Sequence, residues 1–393
     1  MKEKINLLAG EFYAGDPHPA FTWMRKNAPV YYDEGGKVWG ISRHADVLRL
    51  SKDSETFSNA EGMRPDSDPT ASMINLDDPE HKRRRNLVNK GFTPKRVAEQ
   101  EDKLRGVCRE LIERVAPHGR CEFVMQVAAH LPMITIGDML GVEPEDRDTL
   151  LRWSDDMLLG TDVHADPQTM ENAGQAFEEF IVYNQRVIAD RRAKPIQNDL
   201  ISVLVHSEID GESLTDEELT QESLLILIGG DETTRHVITG GLEQLLLHPD
   251  QKRKLVEDPS KIPTAVEEML RWVSPIQNMA RTATSDTELH GEKISKGDKL
   301  LLLYPSANRD EDIFDDPFRF DVERRPNDHL AFGGYGAHFC LGASLARLEL
   351  KVMFEELLAA FPDIAFENEA PLPRRPSNFI TGIESMPVRF APQ

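Results

Sequence analysis

The stretch "HLAFGGYGAHFCLGASLARLEL" at residues 329–350 constrains this chain more than any other. A loop with glycines at 333, 334 and 336 runs into Cys340, Gly342 follows, and an amphipathic run carries Leu345, Leu348, Val352 and Met353 at helical spacing. Glycines in such a loop allow tight turns and close approach of a flat ligand. The start of a helix stabilises a thiolate through its dipole and free backbone N–H groups. The pattern therefore suits Cys340 as an anionic ligand on a rigid loop. A plain buried loop cysteine satisfies the same spacing, and the loop alone leaves both readings open.

The other two cysteines narrow the choice. Cys108 and Cys121 form no CxxC pair with each other or with Cys340, so a disulfide framework is excluded and a structural zinc site is not expected. Cys108 sits in the helical run "LRGVCRELIERV" and reads as a small buried hydrophobe, as does Cys121.

Most of the remaining chain also has helical period. An N-cap at Thr215 opens a long apolar helix over 217–248, and strand pairs are expected at 30–42 and around "TELHGEKISKGDKLLLL". Strands do not alternate with helices, which argues against a parallel sheet. The expected fold class is mainly α with small antiparallel β-sheets (α+β). Residues 57–78 and 160–169 read as loops, and a loop as long as the first is usually functional or mobile.

Charge and hydropathy remove other classes. A net charge of −22 excludes a nucleic-acid partner, since phosphate binding needs a basic field. No apolar run approaches the ~20 residues of a membrane span, and the N-terminus lacks a secretory pattern. A cytoplasmic protein without a transmembrane segment is expected.

Three further constellations carry chemistry. In "LLILIGGDETTRHV" (224–237), Gly229 and Gly230 each cost about 1 kcal/mol relative to alanine in a helix. They precede Asp231, Glu232, Thr233 and Thr234, which suggests a helix distorted beside a ligand, with a hydroxyl bonding a backbone carbonyl. A carboxylate beside that hydroxyl suits proton delivery; a glycine-facilitated helix crossing with exposed acids is the plainer alternative. The second constellation, Glu268 and Arg271, shares a helix face and by itself reads as an ordinary ion pair. The third is His81 and Arg85 in "DPEHKRRRNLV", which with Arg281 and His338 are candidate donors to an anionic ligand. Arg83 and Arg84 are expected to face outward as a docking patch for an acidic partner.

Taken in this order, these motifs resemble those of the cytochromes P-450. Residues 332–342 are similar to the family's heme-cysteine signature, 229–234 to its oxygen-activation motif, and Glu268-x-x-Arg271 with "PFRFDVER" (317–324) to its structural ion-pair network. His81-x-x-x-Arg85, with Arg281 and His338, matches its heme-propionate donors, and the likeness runs from about residue 10 to 390. The resemblance implies one domain over 1–393, with 57–78 and 160–169 as access loops, 217–248 as the long central helix and 329–358 as the heme-cysteine loop and following helix. It implies heme b (iron protoporphyrin IX) held by the Cys340 thiolate, O2 as co-substrate, Thr233 bonding the distal oxygen, and Glu232 with Asp231 relaying protons. One departure from the pattern is that Phe332 stands eight residues before Cys340, where most bacterial relatives have seven, so either Phe332 or Tyr335 packs on the thiolate side.

Within the family the chain is most similar to actinobacterial-type steroid side-chain monooxygenases, in stretches such as "LVNKGFTPKRV" and "NFITGIESMPV". That implies terminal (C26/C27) hydroxylation of a sterol such as cholest-4-en-3-one. The implied pocket walls are Met73, Ile74, Leu225, Ile228, Gly229, Met279 and Phe379. The same chemistry on a terpenoid, fatty acid or bile-acid-like steroid is the nearest alternative, and a non-catalytic heme sensor or carrier is the alternative of another class. No dinucleotide glycine fingerprint follows a strand. Electrons are expected from a ferredoxin and its reductase, delivered to a monomer.

Overall fold

The computed structural model describes residues 4–160, 166–209, 211–368 and 371–393. Its N-terminal part comprises α1 (Gly10–Ala14), α2 (His18–Asn27), the hairpin β1 (Val30–Asp33) and β2 (Val38–Ile41), α3 (His44–Lys52) and β3 (Phe57–Ser58). The hairpin turn is held by Asp33, whose Oδ1 accepts the N–H groups of Gly35 and Gly36 at 2.9 and 3.1 Å. There follow α4 (Glu80–Val88), α5 (Pro94–Ala98), α6 (Glu101–Val115), β4 (Arg120–Glu122), α7 (His130–Met139), α8 (Arg147–Leu159), α9 (Pro167–Arg192) and α10 (Leu200–Val205).

The centre of the fold is α11 (Asp216–Gly230) and α12 (Glu232–Leu247), followed by α13 (Pro249–Glu257) and α14 (Ile262–Val273). Strands β5 (Asn278–Ala283), β6 (Thr287–Leu289), β7 (Glu292–Ile294) and β8 (Lys299–Leu303) lead through α15 (Tyr304–Ala307) to α16 (Ala343–Ala360), β9 (Ala365–Phe366) and β10 (Pro387–Arg389).

The expected single helix over 217–248 is in fact two. A capping box starts α11, with Glu218 N–H donating to Thr215 Oγ1 and Thr215 N–H to Glu218 Oε2. The helix then breaks at Asp231, where ψ reaches −71°. The physical reason lies beside the break: the Thr233 hydroxyl donates to Gly229 O at 2.8 Å, competing for a carbonyl of the ladder next to two glycines.

The sheets are small, as expected, but not wholly antiparallel. The largest has the order β1-β2-β8-β5-β3, and β2 pairs with β8 in parallel from Val38↔Lys299 to Ile41↔Leu302. No hairpin joins these two strands, so nothing local fixes their direction, and most of the chain serves as their crossover. On β5 the period of two sends Met279 and Arg281 to one face while Ala280 packs into the opposite core.

The largest core is built by α6, α12, α14 and α16 through residues such as Leu111, Leu242, Met269 and Phe354. Each such side chain contributes about 1.5–3 kcal/mol of apolar burial. This packing fixes α12 and α16 against each other, and with them the two walls on which the site is mounted. Residues 57–78 are irregular apart from β3 and a 3₁₀ turn at Met73–Asn75. Helix α9 starts at Pro167, capped by Asp166, so it takes in the last residues of the expected 160–169 connector. Residues 161–165 of that connector lie outside the described residues. No described helix is long and apolar enough to cross a membrane.

Candidate active site

A cavity of about 1590 Å³, counting the part open to solvent, lies between α4, α11, α12, β5 and α16. Its lining divides into three zones.

The first zone is the cysteine wall. Cys340, Phe332, Gly333, Phe339, Leu341 and Gly342 all face the cavity. Cys340 N–H donates to Phe332 O at 3.0 Å, which closes the loop just before α16. Burial pushes the Cys340 thiol up, and the N–H groups of Gly342 and Ala343 at the start of α16, with Arg85 and Arg347, draw it back down. Of the two aromatics the sequence left open, Phe332 lines the cavity, while Tyr335 is 53% exposed and stacks on Phe339 at 5.1 Å. The Arg347 guanidinium sits 4.6 Å from the Phe332 ring centroid and is locked in a two-pronged pair with Glu267 at 2.7 and 2.9 Å. Not all the loop glycines serve a ligand. Gly334 and Gly336 pass so close to Ser51 at the end of α3 that a Cβ on either would collide with it. Those two glycines seat the loop on the protein.

The second zone is cationic. His81 and Arg85 share one face of α4 (i, i+4), and Arg281 comes from β5 and His338 from the loop; all four line the cavity with Tyr304. The His81 and His338 rings lie 4.1 Å apart. Burial, followed by Arg281, His81 and Arg85, pushes His338 down to about 2, so it is neutral. Arg281 is buried, donating only to Ala280 O, and His81 Nε2 has no partner among the described residues. Asp78 pairs with the other His81 nitrogen, Nδ1, at 3.1 Å, so the buried Arg281, the half-buried Arg85 and the orphaned Nε2 form a seat for an anionic group. With a thiol on the adjacent wall, this donor set fits a heme and its propionates.

The third zone is apolar. Met73, Ile74, Leu225, Ile228, Gly229, Met279 and Phe379 all line it, as the sequence led one to expect. Met63, Ile276 and Ile380 join them, the last two through a bridge between residues far apart in the chain, which local pattern cannot reveal. A Cβ on Gly229 would meet nothing within 4 Å, whereas one on Gly230 would strike Ile136 of α7. One glycine thus widens the cavity and its neighbour permits a helix contact.

The acids at the break divide sharply. Thr233 lines the cavity, but Asp231 and Glu232 are wholly buried beside it. Glu232 accepts from Arg235 and, at 2.7 Å to each oxygen, from Arg375, with His236 Nε2 3.6 Å away. Burial would raise it, but these cations outweigh burial and hold it below the usual carboxylate range. Asp231 has no hydrogen-bond partner on either oxygen among the described residues. Burial pushes it up to about 7, against the pull of Arg235.

Glu268 and Arg271 lie away from the cavity and are fully buried. Arg271 Nε and Nη2 meet Glu268 at 2.8 Å each, Nη1 reaches Asn308 O and Pro317 O, and Arg324 adds a second cation at 3.1 Å. The docking patch expected at Arg83 and Arg84 is absent. Arg84 is buried against Glu218, Glu222 and Ala71 O, and Arg83 pairs with Glu80 and Glu218. The surrounding carboxylates take both cations inward, and of residues 82–85 only Lys82 is exposed.

Two carboxyls escaped the sequence reading. Glu349 faces the cavity with no hydrogen-bond partner for Oε1 among the described residues, and burial pushes it up to about 8. Burial likewise pushes Glu222 on α11 up to about 7. The signal was present, since each interrupts an apolar stripe, between Leu345 and Val352 in one case and Leu219 and Ile226 in the other.

Comparison with known proteins agrees with this geometry. A Cytochrome P-450 family profile matches residues 157–386. A steroid C26-monooxygenase of Mycobacterium tuberculosis is 50% identical over 99% of this chain and 97% of its own. A methyl-branched lipid omega-hydroxylase of the same organism is 38% identical over 98% and 95%. Among solved structures, a cytochrome P-450 of Mycobacterium marinum in complex with pseudoionone superposes with a TM-score of 0.91 at 33% identity, over 99% of each chain. This chain belongs to the cytochrome P-450 family of heme-thiolate monooxygenases.

Proposed function

We propose that this enzyme hydroxylates the terminal (C26/C27) methyl of a sterol side chain such as cholest-4-en-3-one, using heme b on the Cys340 thiolate. The observation that carries this reading is the three-zone cavity: a thiol wall, an adjoining cationic seat and a broad apolar arm. When bound, the heme supplies reductive activation of O2 for insertion of one oxygen atom into an unactivated C–H bond. Every other task falls to side chains. His81, Arg85, Arg281 and His338 hold the propionates, and Phe332 shields the thiolate side. Met73, Ile74, Leu225, Ile228, Met279 and Phe379 take the steroid, exclude water and aim the terminal methyl at the Cys340 wall.

Proton supply falls to the helix break. Thr233 Oγ1 presents a hydroxyl to the cavity beside a protonatable Asp231, and the bound carboxylate of Glu232 anchors the break through Arg235 and Arg375. A group with a pKa near working pH suits general-acid duty, which favours Asp231 as the proton holder of the pair. The whole chain works as one domain, a cytoplasmic monomer supplied with electrons by a ferredoxin and its reductase.

Titration of the ferric enzyme with cholest-4-en-3-one tests the substrate. A shift of the Soret band toward high spin is the expected result. No shift with the sterol, together with a shift for methyl-branched fatty acids, would favour the second reading raised by the omega-hydroxylase relative.

A further inference from the structure

The proposed chemistry leaves Glu222 unused, although its side chain is fully buried in the centre of the molecule. Its Oε1 accepts the Met73 N–H at 2.8 Å and Arg84 Nη1 at 3.1 Å, while Oε2 has no hydrogen-bond partner among the described residues. Arg84 also donates to Ala71 O and, through Nη2, to Glu218 Oε1 at 3.1 Å. The backbone of residues 71–73 is therefore gripped twice by a single ion pair standing on α11 and α4. Glu222 does not line the cavity, but Met73 and Ile74, the residues it fixes, do. Within the segment, Met63 N–H donates to Asn75 Oδ1 and Asn59 Nδ2 to Ile74 O; its first half is held to β5 and the C-terminal segment, Ala280 N–H donating to Met63 O at 2.7 Å and Arg64 to Asn278 and Asn378.

A buried ion pair is weak as a source of stability, because desolvation offsets its attraction. What it supplies here is location. It joins an irregular segment to the helix that carries Leu225 and Ile228, so both sides of the apolar zone share one reference frame. Without the Oε1 acceptor, the Met73 N–H is left buried and unpaired, which favours states in which the segment has opened to water.

We propose that Glu222 is a substrate-positioning residue: its Oε1 clamps the Met73–Ile74 wall to α11, fixing where a bound hydrocarbon chain ends and how fast the 57–78 segment releases it. The assignment rests on the reading of the apolar zone as the substrate site.

The test compares Glu222→Gln, which keeps an acceptor oxygen at the same place, with Glu222→Met, which keeps volume but no acceptor. Arg84→Met attacks the clamp from its other side and serves if Glu222→Met folds poorly. Hydrogen exchange of the resting ferric holoenzyme should show amides 71–75 exchanging about tenfold faster in the two methionine variants and near the native rate in the glutamine variant. In the methionine variants, stopped-flow release of cholest-4-en-3-one should also speed up about tenfold, and hydroxylation should spread to carbons other than the terminal methyl. Native exchange and release in Glu222→Met and Arg84→Met would overturn the clamp, as would equal loosening in Glu222→Gln. A wild-type enzyme with no spectral response to the sterol would refute the substrate reading instead, and the exchange arm would still decide on Glu222.

Discussion

Two buried ion-pair clusters stand on neighbouring parts of the core, and they are built to opposite standards. Around Arg271 every strong donor has a matched acceptor: a two-pronged carboxylate, three backbone carbonyls within 3.4 Å and Arg324 behind. Around Asp231, one carboxyl is crowded by Arg235 and Arg375 while, among the described residues, its neighbour, Arg235 Nε and both His236 nitrogens make no hydrogen bond. A satisfied network rigidifies, whereas a partly satisfied one in low dielectric is costly and needs another reason to exist. The first cluster is closed on itself away from the cavity; the second stands beside Thr233, which lines it.

The sharpest way to break the comparison is to remove one partner from each cluster. Arg271→Met should leave the buried Glu268 with Arg324 as its remaining cation, costing roughly 3–5 kcal/mol in denaturant unfolding, with loss of heme in proportion. Asp231→Asn removes no hydrogen bond and should keep native stability. Its turnover should nevertheless fall by about 10²-fold, measured as product formed per electron consumed. Equal stability losses in the two variants would erase the distinction.

A smaller effect separates the clusters by pH. Asp231 is raised to about 7 and Glu349 to about 8, both above their unfolded values. Stability from such groups is complete below the unfolded pKa and is lost as pH rises through the folded one. The holoenzyme should therefore lose stability between about pH 4 and pH 8, by up to about 1.4 kcal/mol per pH unit for each of the two groups, with no further loss from them above that. Glu267 runs the other way. Burial raises it, but His329 and Arg347 hold it at about 2, so its contribution is present above the usual carboxylate pKa and lost as pH falls toward 2. Thermal melts should show a shallower decline between about pH 4 and 7 in Asp231→Asn and the native decline over the same range in Glu267→Gln.

Much of this site was legible in the sequence because its chemistry is local. Cys340 sits next to the helix that tunes it, His81 and Arg85 are one turn apart, and Met279 and Arg281 obey strand alternation. What the sequence hid depends on distant partners. Arg83 and Arg84 look like a solvated basic run until Glu218 and Glu222 arrive from α11. Gly334 and Gly336 look like ligand space until α3 is seen against them. The parallel β2–β8 pairing has no local signature at all. Glu232 and Asp231 are adjacent, so no pattern could tell which would be captured by Arg375 from the C-terminal segment and which left protonatable.

The central claim is that Cys340, as a thiolate, holds a heme in this cavity. The reduced, CO-bound difference spectrum tests it most directly. The wild-type enzyme should show the red-shifted Soret band of thiolate-ligated ferrous heme, and Cys340→Ser should lose that band while keeping its helical circular dichroism. A wild-type spectrum at the position typical of histidine-ligated heme, or a red-shifted band that persists in Cys340→Ser, would contradict the account.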